Sequence, residues 1–194
     1  MYFSRVKTIA LQSKSVSETD ILKAATTGDA DAIAWLYREY GPVLLTVCKR
    51  YSDSLESAED LFQEGFLKIL DKLGSFRGDS GIKTWMYRVM SNYCINELRR
   101  PLNKVKWADV EELDHFVEEV EVDDDRISVD SLVEMIQKLP TGYRLVLNMY
   151  AMESKSHSEI AETLGISEVS SRTQLFKARR MLKKIMEEKG HVAR

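Results

Sequence analysis

Chain breakers are scarce. Three prolines and nine glycines stand among 194 residues, too few for the many tight turns of a β-sandwich or barrel. Leu, Ala, Glu and Lys are plentiful, and the expectation is an all-α chain. Apolar runs are short as well. None approaches the roughly 18 residues that a membrane span requires, which argues against membrane insertion. The start, MYFSRVKTIALQSKS, lacks the apolar stretch and small-residue cleavage site of a secretory signal, so a cytoplasmic protein is expected. The two cysteines, Cys48 and Cys94, form no CxxC pair and fall in helical patterns; they read as small buried hydrophobes in a reducing compartment. The three histidines, His115, His157 and His191, are scattered and show no metal or nucleophile spacing. Asp123, Asp124 and Asp125 lack the glycine and spacing of a calcium loop. No glycine-rich phosphate cradle is present. The reading is therefore of no enzyme, no cofactor and no metal.

Net charge is a modest −3, but it is unevenly spread. Residues 1–100 hold 14 Lys and Arg against 13 Asp and Glu; residues 101–130 hold 3 against 11; residues 131–194 hold 11 against 7. The pattern suggests two near-neutral or basic modules joined by an acidic segment. It removes the objection that a slightly acidic protein has no nucleic-acid partner. The expected division is an N-terminal extension over 1–17, a helical domain over 18–100, an acidic linker over 101–128 and a second helical domain over 129–190.

Capping and periodicity give the elements. Ser17 with Asp20 starts a first helix whose apolar face is Ile21, Leu22 and Ala25, and Gly28 ends it. Ile33, Leu36, Tyr37, Tyr40, Leu44, Val47 and Tyr51 step by threes and fours through a second, which Gly41-Pro42 should kink or interrupt. A third begins near Ser57, with Asp60 in capping-box position, and buries Phe62, Phe66, Ile69, Leu70 and Leu73. A fourth spans about Lys83 to Arg99 and stops at Pro101. The linker DVEELDHFVEEVEVDDD is a charge run, although Val110, Leu113, Val117 and Val120 also have the spacing of a short docked helix. Beyond it, Val129, Leu132, Val133, Ile136 and Leu139 mark one helix. Pro140 opens the next, which buries Tyr143, Val146, Leu147 and Tyr150.

The stretch HSEIAETLGISEVSSRTQLFKARRMLKK carries the first functional signal. Ser156 and Glu159 form a capping box, Gly165 supplies a left-handed corner, and Ser167 caps a longer helix whose inner stripe is Leu175, Ala178, Leu182 and Ile185. This is helix-turn-helix spacing. In that motif the second helix enters the major groove with its N-terminal part against base edges. Ser170, Ser171, Thr173 and Gln174 can hydrogen-bond bases or phosphates, and Arg172 can read guanine bidentately. Lys177, Arg179, Arg180, Lys183 and Lys184 can hold phosphates. A second signal lies in FRGDSGIKTWMYRVMSNYCINELRR. Trp85, Arg88, Asn92, Asn96 and Arg99 fall along one side of a helix, opposite Tyr87, Met90, Cys94 and Leu98, with Phe76 and Arg77 in the loop before it. Aromatic rings beside a cationic stripe suit unpaired bases.

Together SAEDLFQEGFLKIL, SFRGDSGIKTWMYRVMSNYCINELRR and LP…SHSEIAETLGIS…RTQLFKARRML resemble regions 2 and 4 of the extracytoplasmic-function sigma factors, over about residues 18–100 and 130–186. The resemblance implies a region 2 four-helix domain and a region 4 helix-turn-helix domain. It implies binding to the β and β′ subunits of core RNA polymerase, promoter recognition with DNA melting, and an anti-sigma partner. Asp60, Gln63, Glu64 and Phe66 match the surface that grips the polymerase clamp helices. Phe76, Arg77 and Ser80 match the loop that receives a base flipped from the minus-10 element, and Trp85, Arg88, Asn92 and Asn96 the helix that holds the melted strand. Arg172, Thr173, Phe176, Lys177 and Arg179 match the minus-35 reading helix, to which Ser170, Ser171 and Gln174 also belong. Two departures fall in that helix: Val169-Ser170-Ser171 replaces a usual Gly-Thr-Val, and Gln174 stands where a basic residue is frequent. Both bear on which promoter sequence is read. The resemblance also rationalises the acidic linker, which in such factors threads basic polymerase channels. The rival reading is a stand-alone helix-turn-helix regulator, which would have no use for the AEDLFQE surface.

Overall fold

The computed structural model describes residues 17–102 and 128–190, and within them every regular element is helical. The linker and its suggested docked helix lie outside the described residues, as does nearly all of the N-terminal extension. Four α-helices make the first module: α1 Glu18–Thr26, α2 Ala30–Tyr51, α3 Leu55–Lys72 and α4 Ile82–Leu102. Four make the second: α5 Val129–Gln137, α6 Thr141–Ala151, α7 His157–Leu164 and α8 Glu168–Glu188. No helix among the described residues is long and apolar enough to cross a membrane.

Most caps stand where the sequence puts them. Ser17 accepts from the Asp20 amide, and Gly28 turns the chain after α1 with φ +85°; Ser128, which the sequence reading did not single out, caps α5 by accepting from the Ser131 amide. Two starts, one interruption and one end differ. α3 is capped by Ser54, which accepts from the Ser57 amide, so the helix begins one turn earlier than the Ser57-Asp60 pairing suggests. α4 already includes Ile82. α2 runs unbroken through Pro42, and α4 continues through Pro101 to Leu102. A mid-helix proline forfeits one backbone bond and crowds the preceding turn. Pro42 itself is exposed, and in α2 that cost is carried by burial of the helix before and after it: Leu36, Leu44, Val47 and Cys48 are all essentially buried. Burial of each large apolar side chain contributes about 1.5–3 kcal/mol.

The core of the first module is α2, α3 and α4 packed on one another, with Ile69, Met86, Met90 and Ile95 fully inside. Gly65 lets α3 and α4 approach closely, since a Cβ there would sit 2.4 Å from the sulfur of Met90. Cys48 and Cys94 are buried free thiols with Sγ atoms 3.9 Å apart. Their mutual contact and burial hold the Cys94 thiol far from ionisation, which suits an inert packing role. Tyr40 reaches across to Glu18 and fastens α1 to α2.

The two modules are not separate bodies. α5 and α6 lie against α2, α6 also meets α4, and their buried apolar residues join one cluster. At the centre is Arg144 of α6, 2% exposed. Its Nε donates to the Tyr51 carbonyl at 2.9 Å; its Nη1 donates to the carbonyls of Gln137 at 2.8 Å and Leu139 at 2.9 Å. Tyr51 and Gln137 are the last residues of α2 and α5, where carbonyls lack helical partners and the helix dipole is negative. Burial pulls the Arg144 pKa down and Asp53 opposes that; the guanidinium keeps its charge. Replacing Arg144 with Met should leave three carbonyls without this donor. The expected loss is about 2–4 kcal/mol, measured as a lower urea midpoint for the full chain.

Candidate nucleic-acid interface

The helix-turn-helix is built as its sequence dictates. Ser156 Oγ accepts from the Glu159 amide, and the Glu159 carboxylate accepts from the Ser156 amide at 2.8 Å, closing both halves of the capping box. These bonds hold the Glu159 carboxyl below the usual range. Gly165 takes φ +68°, a conformation that costs a residue with a Cβ, and the chain turns into α8 there. Ser167 caps α8 by accepting from the Ser170 amide at 3.0 Å. Leu175, Ala178 and Ile185 face inward as their spacing requires, with Leu182 half-buried.

α8 divides its residues unevenly. Arg172, Arg179, Arg180 and Lys184 are exposed, and Ser170, Phe176, Lys177 and Lys183 are half-buried. Arg172 is steered by an i,i+4 pair with Glu168, at 3.1 Å. Ser171, Thr173 and Gln174 are buried, at 0%, 7% and 9% exposure. They are not on the open face that the sequence assigns them. Ser171 sits 2.9 Å from His157 Nδ1, a bond that ties the start of α7 to α8. The helical period explains the difference: Ser171, Gln174 and Leu175 share the face that continues to Ala178.

His157 and Tyr150 carry an arrangement that sequence reading missed. Their rings stack with centroids 4.9 Å apart, and Arg179 lies over Tyr150 at 5.5 Å. Tyr150 is 37% exposed rather than buried within α6. Apolar periodicity alone assigned it inward; the cation two helices away could not be paired with it from sequence. The stack fixes an aromatic-cationic shoulder beside α8.

On the first module the exposed side of α4 carries Arg88, Asn92 and Asn96. Trp85 is half-buried and its ring lies 5.6 Å from that of Phe76, so the loop before α4 is docked on the helix. Arg77 of that loop is exposed and Ser80 half-buried. The structure therefore brings Phe76, Arg77, Trp85 and Arg88 to one region. Arg99 instead donates to the Thr163 carbonyl of α7 at 2.8 Å.

The third face lies on α3. Asp60, Gln63 and Glu64 are exposed, and Glu64 accepts from the Tyr93 hydroxyl at 3.4 Å. Phe66 points the other way. It is 6% exposed and packs edge-on against Tyr37 with centroids 5.3 Å apart. It supports the face from beneath. Leu67 of α3 is exposed at 61%, and Tyr37, the ring that Phe66 packs against, at 51%.

Comparison with known proteins matches these modules one by one. Residues 36–102 match the family model for Sigma-70 region 2, and residues 130–182 that for Sigma-70, region 4. Over 161 residues the chain is 33% identical to RNA polymerase sigma factor YlaC of Bacillus subtilis, covering 80% of this chain and 92% of that one. The chain belongs to the extracytoplasmic-function RNA polymerase sigma factors. This sigma factor is also 29% identical over 181 residues to RNA polymerase sigma-H factor of Pseudomonas aeruginosa, covering 88% and 94% of the two chains. Among solved structures, the sigma factor RpoE of Bartonella quintana, crystallised with the anti-sigma factor NepR, aligns with a TM-score of 0.46 at 19% identity, covering 79% of this sigma factor and 96% of that chain. Sigma factors are initiation factors and not enzymes.

The His157 site has a measurable signature. Burial comes first, then the Arg172 charge, in holding its imidazole below the ordinary 6.5; Arg179 adds to this and Glu168 opposes it. The unfolded chain therefore binds the proton more readily than the folded one. This contribution to stability is complete above about pH 6.5 and falls away as the pH drops through and below that value. In thermal melts at pH 7.5 and 5.5, His157→Gln should lose less stability on acidification than the native chain.

Proposed function

We infer that this sigma factor binds core RNA polymerase in the cytoplasm, carries it to a promoter and holds the melted strand during initiation. The observation that supports the reading most strongly is the presence, in one chain, of two different nucleic-acid faces. α8 presents a cationic side suited to duplex DNA, with Arg172 at its first turns and phosphate-holding Lys177, Arg179 and Arg180 behind. The α4 face is narrower and mixes Phe76 and Trp85 with Arg77, Arg88, Asn92 and Asn96, a composition suited to stacked, unpaired bases. A stand-alone regulator needs the first face only. In this reading α8 takes the minus-35 element and α4 the minus-10 element. Asp60, Gln63 and Glu64, with Leu67 beside them, form the clamp contact on β′, and β meets the second module. An anti-sigma factor, as in the RpoE–NepR complex, is the expected antagonist.

Core binding and promoter choice are separable by mutation. Asp60→Ala with Gln63→Ala removes two exposed polar side chains, so far-ultraviolet circular dichroism should be unchanged while affinity for core polymerase falls at least ten-fold in a pull-down titration. Unchanged core affinity would remove this face from the assignment. In run-off transcription on minus-35 variants, Arg172→Ala should cost about 1–3 kcal/mol and relax choice at one base. Lys184→Ala, three turns later, should weaken all variants alike and lower the salt slope by about one unit. Uniform loss in both mutants would instead make Arg172 a phosphate contact.

A further inference from the structure

The side chains that α8 keeps inside narrow what its open face can recognise. Of the polar residues at its start, Ser171, Thr173 and Gln174 are buried, and the Ser170 hydroxyl lies 2.8 Å from that of the capping Ser167. Those hydroxyls and that amide are withdrawn from the open face of the helix. A different set stays accessible. Glu168, Val169 and Arg172 are exposed, Phe176 is half-buried, and exposed Arg179 and Arg180 follow. At 3.6 residues per turn, Phe176 and Arg180 lie within about 20° of Val169 around the axis, and Arg172 about 60° from it. The open face therefore begins with an apolar side chain and an arginine.

Val169 is 49% exposed. A lone exposed valine is ordinary on a protein surface. This one gains little from burial, and a β-branched residue is a poorer helix former than alanine. Its place beside Arg172 is informative. Helical side chains lean toward the N-terminus, and the Arg172 guanidinium is held that way by Glu168, at 3.1 Å. The cationic head thus lies over the turn that carries Val169. Three residues separate the two, about 4.5 Å along the axis, against a rise of roughly 3.4 Å between base pairs. A helix that lays Arg172 on one base pair brings Val169 to the next. In the major groove only thymine offers an apolar group, its 5-methyl, and apolar side chains recognise it by contact. Against the polar edge of another base a valine removes water and returns no hydrogen bond.

We propose that Val169 is a specificity-determining residue for the minus-35 element, reading the 5-methyl of a thymine in the base pair next to the guanine that Arg172 takes. The proposal rests on the initiation-factor reading and adds a second base to the one assigned there to Arg172. Burial of one methyl group makes thymine about four-fold better than the same base without it.

Uracil differs from thymine by that methyl alone, so the test leaves every hydrogen bond of the base pair in place. The full chain with core polymerase selects a minus-35 sequence from a randomised promoter library, and each thymine of the selected element is then replaced singly by uracil. In competition binding the native holoenzyme should lose about four-fold at one thymine. Val169→Ala should bind the thymine promoter as weakly as the native protein binds the uracil one, and should not distinguish the two. Val169→Ile restores a large apolar side chain and should restore the discrimination. Indifference of the native holoenzyme to uracil at every position overturns the proposal. A uracil effect that persists unchanged in Val169→Ala also overturns it and assigns the methyl to another side chain. If the full chain does not bind core, or binds it and selects no minus-35 sequence, the initiation-factor reading fails, and the thymine contact with it.

Discussion

The arrangement of this protein turns on one buried guanidinium. Arg144 sits where α2 and α5 end and where α6 crosses them, and it donates to carbonyls from all of these neighbours. A helix end inside a protein is a problem, because its last carbonyls need donors and water is excluded. An arginine solves it for two helices at once. It brings several N–H groups in a fixed plane and a charge that the negative helix ends stabilise. Two of its bonds close the α5–α6 corner within the second module, and the third crosses to the first. The same side chain thus completes the helix-turn-helix module and sets where that module rests.

The candidate faces lie away from this centre, and each is held in place for its own reason. α7 and α8 are set by a capping box, a left-handed glycine and a serine cap, all local features. The His157–Ser171 bond and the Tyr150 stack then add tertiary restraint at the start of α8. On the first module, Phe76 against Trp85 docks the loop onto α4, so that an exposed row of Arg88, Asn92 and Asn96 continues from an aromatic edge. In both places apolar packing positions polar groups that water would otherwise leave free to move.

The faces differ in electrostatics as well. The outer side of α8 is dominated by arginine and lysine, whereas α3 offers Asp60 and Glu64, with Leu67 exposed one turn on. The first suits a phosphate backbone and the second repels it. A single chain therefore carries one surface suited to a phosphate backbone and another that is not, and the acidic 101–130 segment separates them in sequence.

Much of this was legible from sequence because the governing interactions are local. Caps, the Gly165 corner and three-four periodicity act within one or two turns, and they placed the helix-turn-helix and the core stripes without knowledge of the fold. Helical phase also puts Asp60, Gln63 and Glu64 on the polar side of α3, while their reading as a polymerase contact rests on the family resemblance. The failures share a cause. Pro42 does not break α2, because distant packing outweighs a local penalty. Phe66 turns inward to Tyr37, and Ser171, Thr173 and Gln174 are buried, because which side of a helix faces solvent depends on what lies against it. Tyr150, His157 and Arg179 come from three helices, and Arg144 finds carbonyls from two modules. Local sequence determined where the helices start, turn and present charge. Only the tertiary structure decided which of those side chains stay in water and how the two modules meet, since both depend on contacts between residues far apart in the chain.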